Sequence, residues 1–523
     1  MHLRHLTPVI ACAGLLSGTL VALSGTAAQA ATTRYEAESS PAVCTGTIDS
    51  DWTGFSGSGF CNGTNAADAH AQFTVNAPAS GTATLRVRFA NGSTTARPAG
   101  LIVNGSTVQT PSFEGTGAWS TWVTKTLTVS LQAGSNTIRL NPTTSAGLPN
   151  IDYLEAETGD TTPQPTGPVL HVAPNGTDGA AGTEAAPTTL TSAISRITPG
   201  GTIYLRGGTY RHTQTVTIPP TNNGTAGDRT ELAAYPGETP VLNFSAQSES
   251  SSNRGLAVNG SYWHVKGIVV ERAGDNGIFV GGSNNIFERT VTRFNRDTGL
   301  QLSRMASTTP SSQWPSNNLI LSAESHDNAD SDGEDADGFA AKLTSGPGNV
   351  FRYAVAHNNI DDGWDLYTKT DTGPIGAVTI EDSLAYKNGT LSDGSQAGNG
   401  DRNGYKLGGE DIGVDHIIRR NIAYANGKHG FTYNRNLGTM SVSGNVSIDN
   451  IERNYSFDGG TSVFRDNTSC RSGSGTNDRI IGNADSSNQF WSGTNGSRCS
   501  SYTGALNWSF AADGRLVVTF GGN

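Results

Sequence analysis

The chain has 523 residues, 66 of them glycine and only 15% charged, too long for one compact domain and too glycine-rich for a helical protein. Two or three domains, mostly β, are expected. The net charge of −11 becomes −12, with 33 basic residues against 45 acidic, once the N-terminal segment carrying Arg4 is set aside; this argues against a nucleic-acid partner, though a bound cation can still bridge to an anionic polysaccharide.

Residues 1–30 read as an export signal: Arg4 and His5, an apolar run over 9–23, then the small-x-small site Ala28-Gln29-Ala30. The run is short and broken by Gly14, Ser17 and Gly18, which disfavours a membrane anchor, and no later segment suits a span. The expected product is a secreted protein starting at Ala31. Cys12 leaves with the signal. The four remaining cysteines form two local pairs, Cys44 with Cys61 and Cys470 with Cys499, suited to disulfides in an oxidising compartment. A zinc site would need tighter spacing and partner histidines.

Over 34–157, runs such as "AQFTVNAP", "GTATLRVRFAN" and "SNTIRLNPT" alternate with the period of half-buried strands between Gly/Ser/Asn turns. This is the pattern of a small β-sandwich. The segment opens "RYEAESS" and closes "NIDYLEAE", and it resembles the jelly-roll carbohydrate-binding modules of families 6 and 35. The resemblance implies a structural calcium held by Glu36, Glu38 and Asp152, and a sugar site using Trp119 and Asn150. A ring beside short polar residues also suits stacking on a sugar face. Trp122 is read as a core residue. Residues 158–168, "TGDTTPQPTGP", read as an extended linker.

From 169 to 523 the organising signal is a repeat. Coils such as "NNIFERTVTRFNRDTGLQLS" and "DHIIRRNIAYANGKHGFTYN" each hold two short strands, a turn carrying Asn, a Gly and a third strand. Asn295, Asn328, Asn358, Asn388, Asn426 and Asn450 hold this turn position at irregular intervals, which indicates stacked coils with variable loops. The expected fold is a parallel β-helix; a propeller would need longer, more regular blades.

Equivalent residues of adjacent coils should lie about 5 Å apart. "DADGFAAK" sets Asp337 before Gly338, and "NNIDDGWDLY" sets Asp362 before Gly363. Asp337 and Asp362 are therefore expected as ladder neighbours, with Asp361 beside them. Alternation points Asp365 away unless the Gly363-Trp364 segment bends and brings it back, when four carboxylates would converge. Such a group near neutral pH must take up protons or a cation, and oxygen ligands in that number on an exported protein favour Ca²⁺.

"ADGFAAK", "NNIDDGWDLY" and "NGYKLGG", in this order, resemble the pectate lyases of polysaccharide lyase family 9, which are right-handed parallel β-helices. The resemblance implies calcium held by Asp337, Asp361, Asp362 and Asp365, and Lys406 as the Brønsted base. The chemistry also stands on its own terms. β-Elimination of polygalacturonate removes a weakly acidic C5 proton and expels the C4 oxygen, and a cation on the uronate carboxylate stabilises the developing enolate. Lysine serves as the base only when neutral, and a nearby dication and partial burial both lower its pKa. Lys342 and Arg435 are candidates for binding the carboxylates of pectin, Lys342 alternatively being a solvated strand-end residue. His429 in "GKHGF" invites comparison with β-helix polygalacturonases, but their Asn-Thr-Asp motif is absent, and His429 is read as a wall residue. The expected protein is a monomeric, secreted, calcium-dependent lyase tethered by its binding module. Its rivals are a β-helix hydrolase and a non-catalytic calcium- and polysaccharide-binding protein.

Overall fold

The computed structural model describes residues 32–77, 81–132, 134–158, 167–396, 398–511 and 513–521. The expected export signal and residues 159–166 of the expected linker lie outside them. The chain divides into two compact units, 1–161 and 162–523. Among the described residues no helix is long and apolar enough to cross a membrane.

The first unit is a sandwich of two antiparallel sheets. One runs Gly46–Asp49, Phe60–Gly63, Asn150–Thr158, Gly81–Ala90, Val123–Leu131, with Thr32–Glu36 also paired to Asn150–Thr158. The other runs Val43–Cys44, Ala71–Ala77, Gly134–Pro142, Ala99–Val103, Ser106–Gln109. Alternation decides which side chains meet between them: Phe73, Val75, Leu85, Val87, Leu101, Ile138, Leu140 and Leu154 are buried in one cluster, each contributing about 1.5–3 kcal/mol where the side chain is large and apolar. The disulfide Cys44–Cys61 joins a strand of one sheet to a strand of the other.

The second unit is a parallel β-helix. Its three sheets hold 12, 10 and 10 strands, and every strand pairs in parallel with its equivalent one coil away. The short helix Leu190–Arg196, capped by the Thr189 side chain accepting from the Ser192 amide, packs Leu190, Ala193 and Ile194 onto the core. In the third sheet the strands Phe339–Ala341, Trp364–Asp365, Tyr405–Lys406, Phe431–Thr432 and Tyr455–Phe457 follow one another. Their first residues point inward and stack: ring centroids lie 5.0 Å apart for Phe339 and Trp364, 4.8 Å for Trp364 and Tyr405, 4.6 Å for Tyr405 and Phe431, and 5.1 Å for Phe431 and Tyr455. This column fixes which residues face out.

The asparagine ladder is present, with one correction. Its members are Asn295, Asn328, Asn359, Asn388, Asn426 and Asn450, each donating from Nδ2 to the Oδ1 of the next at 2.8–2.9 Å, and Asn450 donating on to Asn454. Asn358 is not a rung. It adopts φ 53°, and so do the residues before the other rungs: Phe294, Asp327, Lys387, Ala425 and Asp449 all have positive φ. The chain makes its corner on this left-handed residue and then turns the following asparagine inward. Asn358 instead donates to the Thr390 carbonyl. Further asparagine ladders occupy the other corners, through Asn285, Asn318 and Asn349, and through Asn421, Asn445, Asn467 and Asn488.

Beyond the coils, the hairpin Leu506–Phe510 and Leu516–Phe520 packs on the outside of the second sheet. Phe520 joins Val446, Ile448 and the disulfide Cys470–Cys499 in a small cluster. Trp508 Nε1 donates to the Tyr386 hydroxyl at 3.0 Å, and the Ser322 hydroxyl donates to the Gly514 carbonyl at 2.5 Å.

Candidate active site

The aromatic column places Asp365 and Lys406 side by side on the outer face, since Trp364 pairs with Tyr405 and Asp365 with Lys406. Asp361 and Asp362 sit in the turn just before, and Asp337 in the equivalent turn one coil earlier. Glycine follows each turn because the coils close tightly there: a Cβ on Gly363 would lie 2.6 Å from the Gly404 carbonyl oxygen. The Asp362 amide donates to Asp337 Oδ1 at 3.3 Å, which ties the two turns together.

Asp337, Asp361 and Asp362 are buried, and each offers one oxygen within 4.8 Å of the others. Burial, with Asp365 adding repulsion that Lys342 and Lys406 oppose, pushes the Asp337 carboxyl up to about 7. Burial and the neighbouring aspartates raise Asp361 well above the usual range. Asp362 is raised in the same direction by burial, although Lys406 opposes it. Its Oδ2 is buried without a hydrogen-bond partner among the described residues. Asp365 is outside this triad of oxygens: its Oδ2 lies 3.3 Å from Lys342 Nζ and 3.8 Å from Lys406 Nζ.

Lys406 is buried at the floor of the site, its Nζ 3.4 Å from Asp362 Oδ2 and 5.3 Å from the centre of the Tyr367 ring. Burial disfavours its ammonium, but Asp365, Asp362, Asp361 and Asp401 together outweigh that and hold it protonated well above the ordinary lysine range. Lys342 is also buried, not a solvated strand end. Its Nζ lies 2.7 Å from Asp337 Oδ2. A cleft of about 300 Å³ opens over these groups, walled by Asp335, Leu343, Tyr367, Lys369 and Asp401.

Asp401 carries no repeat signal in the sequence. It stands at the end of the long loop before the Lys406 strand, and the same stretch of backbone holds the aspartates. The Asp401 and Arg402 amides donate to Asp361 Oδ1, and the Asn403 amide and side chain donate to Asp362 Oδ1 at 2.6 and 2.9 Å. A loop interior gives no period to read, so only the fold brings Asp401 to the site.

These are four carboxylates facing two lysines, Lys342 and Lys406, in a buried patch. The excess negative charge, the hard oxygen donors and the buried Asp362 Oδ2, which accepts no hydrogen bond among the described residues and faces the Lys406 amine at 3.4 Å, fit a divalent cation. Over residues 170–468 the chain matches the family described as the Pel9A-like, right handed beta helix region. It belongs to the Pel9A-like family of pectate lyases. Over 325 residues it is 55% identical to the pectate lyase L of Paenibacillus polymyxa, a match covering 62% of this chain and 72% of that one. It is 44% identical over 290 residues to the pectate lyase L of Thermoclostridium stercorarium, which spans 55% of this chain but only 23% of that longer protein. The crystal structure of pectate lyase Pel9A superimposes with a TM-score of 0.56 at 33% identity, covering 66% of this chain and 84% of that chain.

The remaining candidates of this Pel9A-like chain lie elsewhere. Arg435 is exposed and paired with Asp411. His429 is buried, and burial pushes it down to about 4, so it is neutral near pH 7. Residues 36–158 match the carbohydrate binding module of family 6. In that unit Asp152 is fully buried, accepts from the Ser56 amide and pairs with Arg88. Glu36 accepts from the Ser56 hydroxyl, Glu38 accepts from the Ser58 amide, and Glu38 Oε2 is buried without a hydrogen-bond partner among the described residues. The half-buried Trp119 ring lies so close to Gly92 that a Cβ there would meet it at 2.5 Å. Asn150 is buried in its strand. Trp122 is half-buried against Phe60 rather than inside the core, and its Nε1 donates to the Thr53 carbonyl.

Proposed function

We propose that the protein is a secreted, monomeric pectate lyase that cleaves polygalacturonate by β-elimination, with Lys406 as base and Ca²⁺ as cofactor. The observation that carries this reading is the position of Lys406 Nζ, 3.4 Å from Asp362 and at the floor of an open cleft. Asp337, Asp361 and Asp362 would hold the cation, with Asp365 completing the set from the adjoining strand. When bound, Ca²⁺ supplies a Lewis acid for the substrate carboxylate, which delocalises charge developing on C5.

The side chains do the rest. Lys406 Nζ takes the C5 proton as the C4–C5 double bond forms and the C4–O bond breaks, and the departing sugar oxygen gains a proton from solvent. Neutral Lys406 is needed, and a dication among its aspartate neighbours offsets the charges that otherwise keep it protonated. Lys342 neutralises Asp337 and Asp365 beneath the cleft. Lys369 at the wall offers a cation to the carboxylate of a neighbouring sugar. In the other unit, Trp119 and Asn150 would hold a sugar, and Glu36, Glu38 and Asp152 a structural calcium. The module would then raise local substrate concentration by avidity.

Ultraviolet absorbance of the conjugated C4–C5 double bond, followed on polygalacturonate at mildly alkaline pH with calcium and then with EGTA, tests the reading. A calcium-dependent rise that disappears in Lys406→Met supports it. New reducing ends without the chromophore would identify a hydrolase, and undiminished turnover in Lys406→Met would remove the base.

A further inference from the structure

Asp401 joins three parts of the site, Lys406, Lys428 and Asp361, that come from three coils. Its Oδ2 lies 3.0 Å from Lys406 Nζ, and its Oδ1 lies 3.2 Å from Lys428 Nζ, one coil further on. Its own amide donates to Asp361, so the residue that touches the base is tied by its backbone to a proposed metal ligand. Lys406 has a long flexible stem, and Asp362, Asp365 and Asp401 all compete for its amine. Asp362 is buried beneath the cleft and Asp365 lines it next to Lys342, so both would draw the amine down among the carboxylates. Of the three, Asp401 stands in the cleft wall and is half-exposed.

Resting on the assignment of Lys406 as base, we propose that Asp401 is the positioning residue for it. One carboxylate oxygen holds the amine on the cleft side, with Lys428 fixing the other oxygen and balancing its charge. With Lys428 balancing its charge, the carboxylate is a rigid acceptor that aims the neutral amine without adding net negative charge. Because residues 401–403 also donate to Asp361 and Asp362, the same stretch of backbone orders the aspartates and sets the aim of the base.

The test is steady-state kinetics of the full chain on polygalacturonate in saturating calcium, with calcium titrations, for Asp401→Asn, Asp401→Glu, Lys428→Met and Lys406→Met. Loss of aim should lower kcat of Asp401→Asn by about 100-fold, with KM and the half-saturating calcium concentration unchanged. Asp401→Glu, which keeps the carboxylate, should recover part of that loss. Lys428→Met, which frees one oxygen, should lower kcat by about tenfold, and it reports independently should Asp401→Asn fail to fold. Undiminished kcat in Asp401→Asn beside an inactive Lys406→Met overturns the positioning role while leaving the base intact. A kcat loss that merely follows weakened calcium binding, with no recovery in Asp401→Glu, overturns it as well. An active Lys406→Met removes the base and this role with it.

Discussion

Calcium removal should destabilise the catalytic unit much more at alkaline than at acidic pH. In the metal-free protein, burial and then Asp365 push Asp337 up to about 7, and burial raises Asp361 and Asp362 well above the ordinary carboxylate range as well. In the unfolded chain an aspartate titrates near about 4. Between about pH 4 and 7 the folded state therefore binds more protons than the unfolded state, and unfolding free energy falls as pH rises. For Asp337 alone, a carboxyl raised from its ordinary value to about 7 corresponds to about 4 kcal/mol withdrawn by the time the pH has passed its folded pKa. A cation on the same oxygens competes with those protons, so its stabilising effect should grow as they leave. The assay is thermal unfolding of the full chain from about pH 4 to about pH 9, in EGTA and in calcium. The melting temperature in EGTA should fall steadily with pH, and calcium should restore it at alkaline pH while doing little at acidic pH. A melting temperature in EGTA that is flat with pH, or a calcium effect equal at both ends, would refute the reasoning.

The ladder assignment separates two adjacent asparagines. Asn359→Ala removes a buried rung and strands its neighbours, at about 2–4 kcal/mol, whereas Asn358→Ala, losing part-buried bonds to the Thr390 carbonyl and the adjacent His357 ring, should lower stability in urea unfolding by no more than about 1 kcal/mol. Replacing Cys470 and Cys499 by serine should lower stability by about 2–4 kcal/mol and leave kcat unchanged, because the pair lies on the second sheet and the cleft on the third; unfolding curves and product absorbance read the two effects. Trp119→Ala should reduce retention on insoluble pectin in a pull-down while turnover of soluble polygalacturonate stays the same.

Much of the architecture is legible because each coil repeats the same punctuation. A glycine after the turn is required wherever backbones close to the distance seen between Gly363 and Gly404, and it sets the phase that brings Asp337 beside Asp362. What the pattern does not carry is the phase within the corner. Asn358 and Asn359 are the same residue type, and it is the left-handed φ at Asn358 that turns Asn359 inward as the rung. Lys342 offers a related lesson. Five residues beyond Asp337 it looks like a solvated strand end, yet the acidic floor draws it in and buries it. Alternation sends Asp365 to the outer face, and it lands between two lysines because the neighbouring coil sets Lys406 in register with it.

The C-terminal hairpin changes how the β-helix behaves as a repeat protein. Stacked coils ordinarily touch only their neighbours, so their stability is close to a sum of nearest-neighbour terms, and one end can fray while the rest stays folded. Here a single segment holds Ser322, Tyr386 and the Val446–Cys470 cluster at once, reaching across the coils that supply Asp337, Asp362 and Lys406. Such a lateral brace converts a chain of local openings into one larger cooperative unit, so that the coils beneath the cleft cannot breathe apart until the hairpin has come away.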